Sequence, residues 1–177
     1  RAMFEGAGLT VNTYPYYDAA THGVKFDAMI GALSKLPAGS IAVLHACCHN
    51  PTGVDLSRAQ WEELIPVLKA RELLPYLDLA YQGYGDGIEE DAFAARALAS
   101  AGLTFFIANS FSKSMSVYGE RAGALSERGQ ARVAADEHEV PGAGGERRER
   151  PDDLGGPGAG RALEARRGLM QAARAGG

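Results

Sequence analysis

The sequence has few cysteines, no long apolar run and no excess of positive charge. Cys47 and Cys48 are its only cysteines, and adjacent residues are poorly placed to bridge each other, so a disulfide framework is excluded and a reducing, cytoplasmic location is expected. No run approaches the roughly 20 apolar residues of a membrane helix. A formal net charge of -4 gives no electrostatic footprint for nucleic acid or an anionic membrane. We therefore expect small metabolites as partners, with no nucleic acid and no membrane.

The composition changes abruptly near the end of the chain. Residues 126–177 contain no Phe, Tyr, Trp, Ile, Lys, Asn, Thr or Cys, while Arg, Gly, Ala, Glu and Pro dominate. Because this composition cannot build the same kind of core as the rest, we predict a disordered Arg/Gly/Ala-rich tail over 126–177 and a folded domain over 1–125. We also hypothesise that the tail is an out-of-frame translation of GC-rich DNA.

Residues 1–125 alternate apolar runs with helical periodicity. The apolar runs at 41–44, 73–81 and 103–108 predict strands. Apolar stripes predict helices between these runs and before the first, and Ser57 with Gln60 forms a capping box for one of them. This alternation predicts an α/β fold, in which a mostly parallel sheet is flanked by helices and collects ligands at the carboxyl ends of its strands.

Residues 110–123 (SFSKSMSVYGERAG) surround one lysine with small hydroxyl groups and add an arginine and glycines. A lysine amine is a useful nucleophile when its site lowers its pKa or commits it to a Schiff base. Ser110 as a hydroxyl donor and Arg121 as a fixed positive charge suit a phosphate group. The combination indicates pyridoxal phosphate bound at Lys113, although by itself it is more often a lysine in a polar turn.

The other predicted strand ends carry the remaining groups that such a cofactor needs. Asp78 can keep a pyridine nitrogen protonated, which strengthens the ring as an electron sink. Asn50 and Tyr81 can donate hydrogen bonds to the phenolic oxygen of the ring. Each residue alone would more often be structural, so the prediction rests on their occurring together at strand ends.

Three motifs then carry a family resemblance. They are residues 45–53 (HACCHNPTG), residues 78–84 (DLAYQGY) followed by 89–91 (EED), and the lysine stretch 110–123. In this order they resemble the large domain of class I pyridoxal-phosphate-dependent aminotransferases, in the aspartate and aromatic amino-acid branch. The resemblance extends from the first residues to about Leu125 and implies part of the large domain of the fold-type I transferases.

The resemblance implies a transaminase with amino acid and 2-oxo acid substrates. An amino group would pass from an aromatic amino acid or aspartate to 2-oxoglutarate in a ping-pong cycle, with Lys113 as catalytic residue and covalent anchor. His45 would lie behind the cofactor ring, and a homodimer is expected for the full-length family. The cofactor-binding set that the resemblance implies is Asn50, Asp78, Tyr81, Ser110, Lys113 and Arg121.

The sequence also departs from that family. A glycine-threonine phosphate turn and a stacking aromatic ring belong upstream of Arg1, and a substrate-gripping arginine belongs after Leu125; none is recognisable. We therefore expect, as the alternative, a truncated and inactive fragment that binds pyridoxal phosphate weakly or not at all.

Other functions rank lower on the sequence. A lyase or decarboxylase on the same fold is disfavoured by the paired motifs at 50–53 and 78–81, and a nucleotide-binding domain lacks a Gly-x-Gly-x-x-Gly turn. The His and Cys residues of 45–49 are too crowded for the usual zinc spacing. No metal site is predicted.

Overall fold

The computed structural model describes residues 1–117 and 119–129. Most of the segment predicted as a tail therefore lies outside the described residues. The elements in chain order are α1 (Ala2–Gly6), β1 (Tyr17–Asp18), β2 (Gly23–Val24), α2 (Phe26–Leu33), β3 (Ile41–His45), α3 (Arg58–Ala70), β4 (Leu74–Leu79), α4 (Ile88–Asp91), α5 (Phe93–Ser100), β5 (Phe105–Ser110), α6 (Phe111–Ser114) and β6 (Gly123–Arg128).

The main sheet has the strand order β3-β4-β5-β6, and its first three strands are parallel. The predicted α/β fold with a mostly parallel sheet is therefore confirmed. Helices α3 and α5 lie in the crossovers between the parallel strands, as parallel pairing requires. The strands are continuous apolar runs because both faces of such a sheet are covered; five of the six residues of β4 are buried.

Strand β6 is antiparallel to β5 and was not predicted. Only alternate residues along it are partly buried, so its sequence lacks the apolar run that marks the other strands. Gly123 permits the pairing, since a β-carbon there would lie 2.6 Å from the carbonyl oxygen of Asn109. Ser126 and Arg128 also pair with β5, so the sheet extends into the segment predicted as tail.

Helix α3 begins where the local signal predicts. Ser57 accepts a hydrogen bond from the Gln60 amide at 3.2 Å, and the Gln60 side chain accepts one from the Ser57 amide at 2.9 Å. This capping box satisfies backbone donors that the first turn of α3 would leave without partners. Pro66 lies inside α3, which nevertheless runs from Arg58 to Ala70.

The core lies mainly on one face of the sheet. There, α2, α3 and α5 pack their apolar stripes against the strands, with Leu64, Leu77 and Phe105 almost fully buried. A smaller cluster on the opposite face contains Leu74, Tyr76 and Phe106, and Phe4 of α1 contacts the Tyr76 ring edge-on at 5.5 Å. The centre of the sheet is therefore apolar on both faces, and polar side chains such as Asp78 and Ser110 lie near the ends of β4 and β5.

Across residues 1–117 and 119–129, every helix is too short or too polar to cross a bilayer.

The capping box gives a first prediction. Replacing Ser57 by Ala removes the acceptor for the Gln60 amide, so we expect the free energy of unfolding to fall by about 1 kcal/mol. Urea denaturation followed by circular dichroism measures the change. Ser100→Ala, at the exposed end of α5, is the matched control and should change stability by less than about 0.5 kcal/mol; equal effects of both substitutions would contradict the cap.

Candidate active site

The carboxyl ends of β3, β4 and β5 meet at one edge of the sheet. In the parallel register His45 is the partner of Asp78, and Asp78 is the partner of Ala108. Asp78 therefore lies on the central strand of the three, between a histidine on one side and the strand that leads to Lys113 on the other. Three segments that are distant in the sequence are thus brought to one place.

Lys113 lies in α6, a single helical turn that starts where β5 ends. Ser110 caps this turn, because its Oγ accepts a hydrogen bond from the Ser112 amide at 3.3 Å. The Nζ of Lys113 lies 5.2 Å from the centroid of the Tyr81 ring, over its face. The Tyr84 hydroxyl donates to the Lys113 carbonyl at 3.0 Å. The loop after β4 and the turn after β5 are therefore in direct contact, and Tyr81 lies beside Lys113.

Asp78 is half-buried near the end of β4. Its Oδ1 accepts a hydrogen bond from the Ala80 amide at 3.0 Å, so the carboxylate also caps the end of its own strand. A neighbouring contact joins the loop after β4 to strand β5, since Asn109 Nδ2 donates to Gln82 Oε1 at 3.3 Å. The carboxylate retains acceptor capacity, because one bond occupies only part of its roughly four lone-pair positions.

His45 contacts a pair of stacked rings beside this edge. Its ring centroid lies 4.5 Å from that of His49, which stacks on Tyr16 at 4.0 Å with an interplanar angle of 13°. Burial lowers the pKa of His49, and the neighbouring His45 lowers it further. A neutral His49 is therefore favoured in this stack.

Asn50 lies in the turn after β3 and is exposed, with a cis peptide bond to Pro51. The turn is held by Asp55, whose carboxylate accepts hydrogen bonds from the amides of Cys48 and His49, both at 2.7 Å. Sequence reasoning missed Asp55 and His49 as organising residues. Carboxylates within a few residues of a glycine-containing turn are the signal that could have found Asp55.

Arg121 reaches this edge through the antiparallel pairing of β6. Ser110 is the partner of Gly123, and the Phe111 amide donates to the Ala122 carbonyl at 3.0 Å. The chain therefore turns back beside Ser110, and Arg121 lies immediately before the paired residues. It is exposed, with a positive φ of 50°.

Asp91 anchors the loop that carries Tyr81 and Tyr84. It is only 6% exposed, and its carboxylate accepts hydrogen bonds from the amides of Gly83, Gly85 and Asp86 at 2.7 to 3.0 Å. Burial alone would raise the pKa of Asp91, but these backbone donors outweigh it and hold the pKa below its ordinary value. Asp91 belongs to the motif at 89–91, but the sequence did not predict that it anchors this loop.

The geometry thus assembles most of the predicted set. The parallel register joins His45 and Asp78, the β4 loop brings Tyr81 to Lys113, and β6 returns the chain beside Ser110. Asn50 and Arg121 lie in turns at the same edge, both exposed. The chemical roles of these residues remain predictions.

Comparison with known proteins gives a consistent set of relatives. The family model described as aminotransferase class I and II matches residues 1–135. A tyrosine aminotransferase from Klebsiella pneumoniae is 59% identical over 125 residues, and an aromatic-amino-acid aminotransferase from Escherichia coli K12 is 61% identical over 125 residues. An aspartate aminotransferase from Pseudomonas aeruginosa is 60% identical over 126 residues. Each alignment covers 71% of this chain and 32% of the relative, so the chain spans about a third of the length of these curated relatives.

Solved structures of aminotransferases are also similar to this chain. An aromatic-amino-acid aminotransferase from Burkholderia pseudomallei, covalently bound to pyridoxal phosphate, is similar with a TM-score of 0.74 and 46% identity, over 99% of this chain and 37% of that one. An aromatic amino acid aminotransferase from Burkholderia cenocepacia has a TM-score of 0.72 and 51% identity, over 98% of this chain and 36% of that one.

The loop anchor gives a second prediction. In Asp91→Asn, an NH₂ group takes the place of one carboxylate oxygen that accepts hydrogen bonds from backbone amides. We therefore expect the free energy of unfolding at pH 7 to fall by about 1–3 kcal/mol. Because the folded pKa of Asp91 lies below its ordinary 3.8, its contribution is present above about pH 4 and lost as the pH falls through the folded pKa. Urea denaturation of both proteins at a series of pH values should therefore show the difference shrinking in acid.

Asp86→Asn is the matched control for Asp91→Asn. Its side chain is exposed, and the amide that it donates to Asp91 belongs to the backbone and is unchanged. If Asp91→Asn were as stable as this control at pH 7, the anchoring role would be wrong.

Proposed function

Because the chain belongs to the class I and II aminotransferase family, we propose that it forms part of a transaminase that uses pyridoxal 5'-phosphate. The three sequence motifs predicted this family, and the match confirms it. The proposed reaction transfers an amino group from an aromatic amino acid or aspartate to 2-oxoglutarate. Relatives named as tyrosine, aromatic-amino-acid and aspartate aminotransferases support these substrates.

One observation carries the proposal. The Lys113 amine, in the helical turn after β5, lies over the Tyr81 ring, while Asp78 is the second-last residue of the adjacent strand β4. An amine nucleophile, a phenol and a carboxylate are the groups that would anchor the aldehyde, bind the ring oxygen and hold the pyridine nitrogen. The donor set of this edge therefore fits the cofactor.

The remaining residues would complete the binding of the cofactor. Asn50 would share the ring oxygen with Tyr81 as a second donor. The Ser110 hydroxyl and the Arg121 guanidinium would bind the phosphate, the first as a neutral donor and the second as a planar, permanently charged one. His45, beside Asp78 in the register, would support the carboxylate from behind.

The cofactor, when bound, supplies an electron sink and carries the amino group between the two substrates. Lys113 would hold it covalently at Nζ. The Nζ amine would also move a proton at the α-carbon of the substrate, acting as general base and general acid in turn. Asp78, as an anion, would keep the pyridine nitrogen protonated throughout, and Tyr81 and Asn50 would keep the ring oriented.

The alternative is that this polypeptide is a truncated, inactive fragment that binds pyridoxal phosphate weakly or not at all. The chain spans 32% of the length of these curated relatives. Turnover of tyrosine with 2-oxoglutarate by the purified chain decides between an active enzyme and a fragment. The homodimer and the cytoplasmic location expected for the family are likewise proposals.

The position of the anchor is directly testable. The lysines of the chain are Lys25, Lys35, Lys69 and Lys113. After incubation with pyridoxal phosphate, reduction with borohydride and digestion, we expect mass spectrometry to find the pyridoxyl label on Lys113, because this amine lies among the cofactor-binding groups.

Lys113→Ala is the control for this labelling and should remove the label without transferring it to another lysine. Label spread evenly over the four lysines would mean that the chain has no organised pocket, and would support the fragment alternative.

The role of Asp78 gives a second measurement on the same site. Asp78→Asn removes the negative charge proposed to hold the pyridine nitrogen, and a charge-assisted hydrogen bond contributes about 1.5–3 kcal/mol. We therefore expect the dissociation constant for pyridoxal phosphate to rise about 10- to 100-fold in equilibrium dialysis. Asp27→Asn, exposed on α2, should leave it unchanged; the same affinity in both variants would exclude Asp78 from the site.

A further inference from the structure

A second cluster of reactive side chains lies behind the Tyr81 loop and has no part in the proposed transamination. Cys47 and Cys48 follow β3, and Asp91 ends α4. One ligand atom from each, the two sulfurs and a carboxylate oxygen, lies within 4.8 Å of the others. Cys47 is 5% exposed and Asp91 is 6% exposed, so the cluster is largely shielded from solvent.

The backbone fixes this convergence on both sides. Cys48 has a positive φ of 48°, and its amide donates to Asp55, which turns the chain so that the neighbouring thiols lie on the same side as Asp91. Its sulfur contacts the Tyr81 carbonyl at 3.9 Å. Gly85 permits the approach of Asp91, since a β-carbon there would lie 2.6 Å from Oδ1.

Backbone amides hold both oxygens of the Asp91 carboxylate. Oδ2 accepts from the amides of Gly83 and Gly85, and Oδ1 accepts from that of Asp86. The Gly87 backbone also helps to keep the pKa of Asp91 low. A cation bound beside the thiols would therefore meet an anionic oxygen whose position the loop has already fixed.

We propose that Cys47, Cys48 and Asp91 form a binding site for a soft divalent cation, Zn²⁺ or Cd²⁺. Two thiolates and one carboxylate are ligands that such ions take, with a water molecule in the fourth position. Binding releases the two thiol protons to solvent and forms two metal–sulfur bonds and one metal–oxygen bond.

The distances fit such an ion after a small movement. Thiolates bound to zinc at about 2.3 Å in tetrahedral geometry lie about 3.8 Å apart. The ligand atoms of the cluster lie within 4.8 Å of one another, so the distances between them must shorten by about 1 Å at most. Rotation of the half-buried Cys48 side chain about its Cα–Cβ bond supplies this movement. No metal site was predicted from the sequence, because the His and Cys residues of 45–49 are too crowded by themselves. The third ligand of the proposed site, Asp91, lies more than 40 residues further along the chain.

Cadmium titration of the reduced chain tests the site. Because Cys47 and Cys48 are the only cysteines, the thiolate-to-cadmium charge-transfer absorption reports on this pair alone. We expect saturation at one Cd²⁺ per chain, displacement by Zn²⁺, and loss of at least half of the absorption in Cys48→Ser.

Asp91→Asn and Asp86→Asn separate the three-ligand site from a simple pair of thiols. We expect Asp91→Asn to raise the dissociation constant for Cd²⁺ about 10-fold or more, while the exposed Asp86→Asn leaves it unchanged. Asp91→Asn also loosens the loop that Asp91 anchors. Cys48→Ser keeps this anchor, so its effect on cadmium binding is an independent test of the site. Saturation at one Cd²⁺ per two chains, or equal affinity in the two Asp variants, would overturn the proposal.

Discussion

The parallel register of β3, β4 and β5 is the constraint on which the candidate site depends. It makes His45 and Asp78 neighbours and aligns Asp78 with the strand that ends at Ser110. Parallel strands all deliver their carboxyl ends to the same edge, so polar side chains that follow separate strands must meet there. A slip of one residue in β4 would turn Asp78 to the opposite face of the sheet and separate it from Lys113.

Hydrogen bonds from backbone amides to two carboxylates fix the loops at this edge of the sheet. Asp91 holds the loop that carries Tyr81, and Asp55 holds the turn that carries Asn50. Each acts in the same way: a charged acceptor satisfies several amides that would otherwise lack partners in a turn. The side chains with proposed chemical roles can then remain partly exposed, because hydrogen bonds to these carboxylates already fix the loops that carry them.

Residues with a strong local signal were predicted correctly. The apolar runs of β3, β4 and β5 and the Ser57–Gln60 capping box are properties of neighbouring residues, so the sequence contains them in full. Residues 9–17 are rich in β-branched and aromatic side chains but form regular strand only at Tyr17–Asp18. Within this segment, the Tyr14 hydroxyl donates a hydrogen bond to the Val43 carbonyl of β3 at 2.7 Å. Strand β6 escaped prediction because an edge strand with one half-covered face needs no apolar run.

The sequence alone determined helices α2, α3 and α5, the parallel strands β3, β4 and β5, the family and the identities of the candidate site residues. These depend on local periodicity and on motifs of adjacent residues. Only the tertiary structure decided that the Lys113 amine lies over the Tyr81 ring, that Asp91 anchors the Tyr81 loop, and that the same Asp91 approaches Cys47 and Cys48. These contacts join residues far apart in the chain, and their geometry follows from strand register and close backbone approach at Gly85 and Gly123. Such long-range distances are set by packing, which no local pattern of residues encodes.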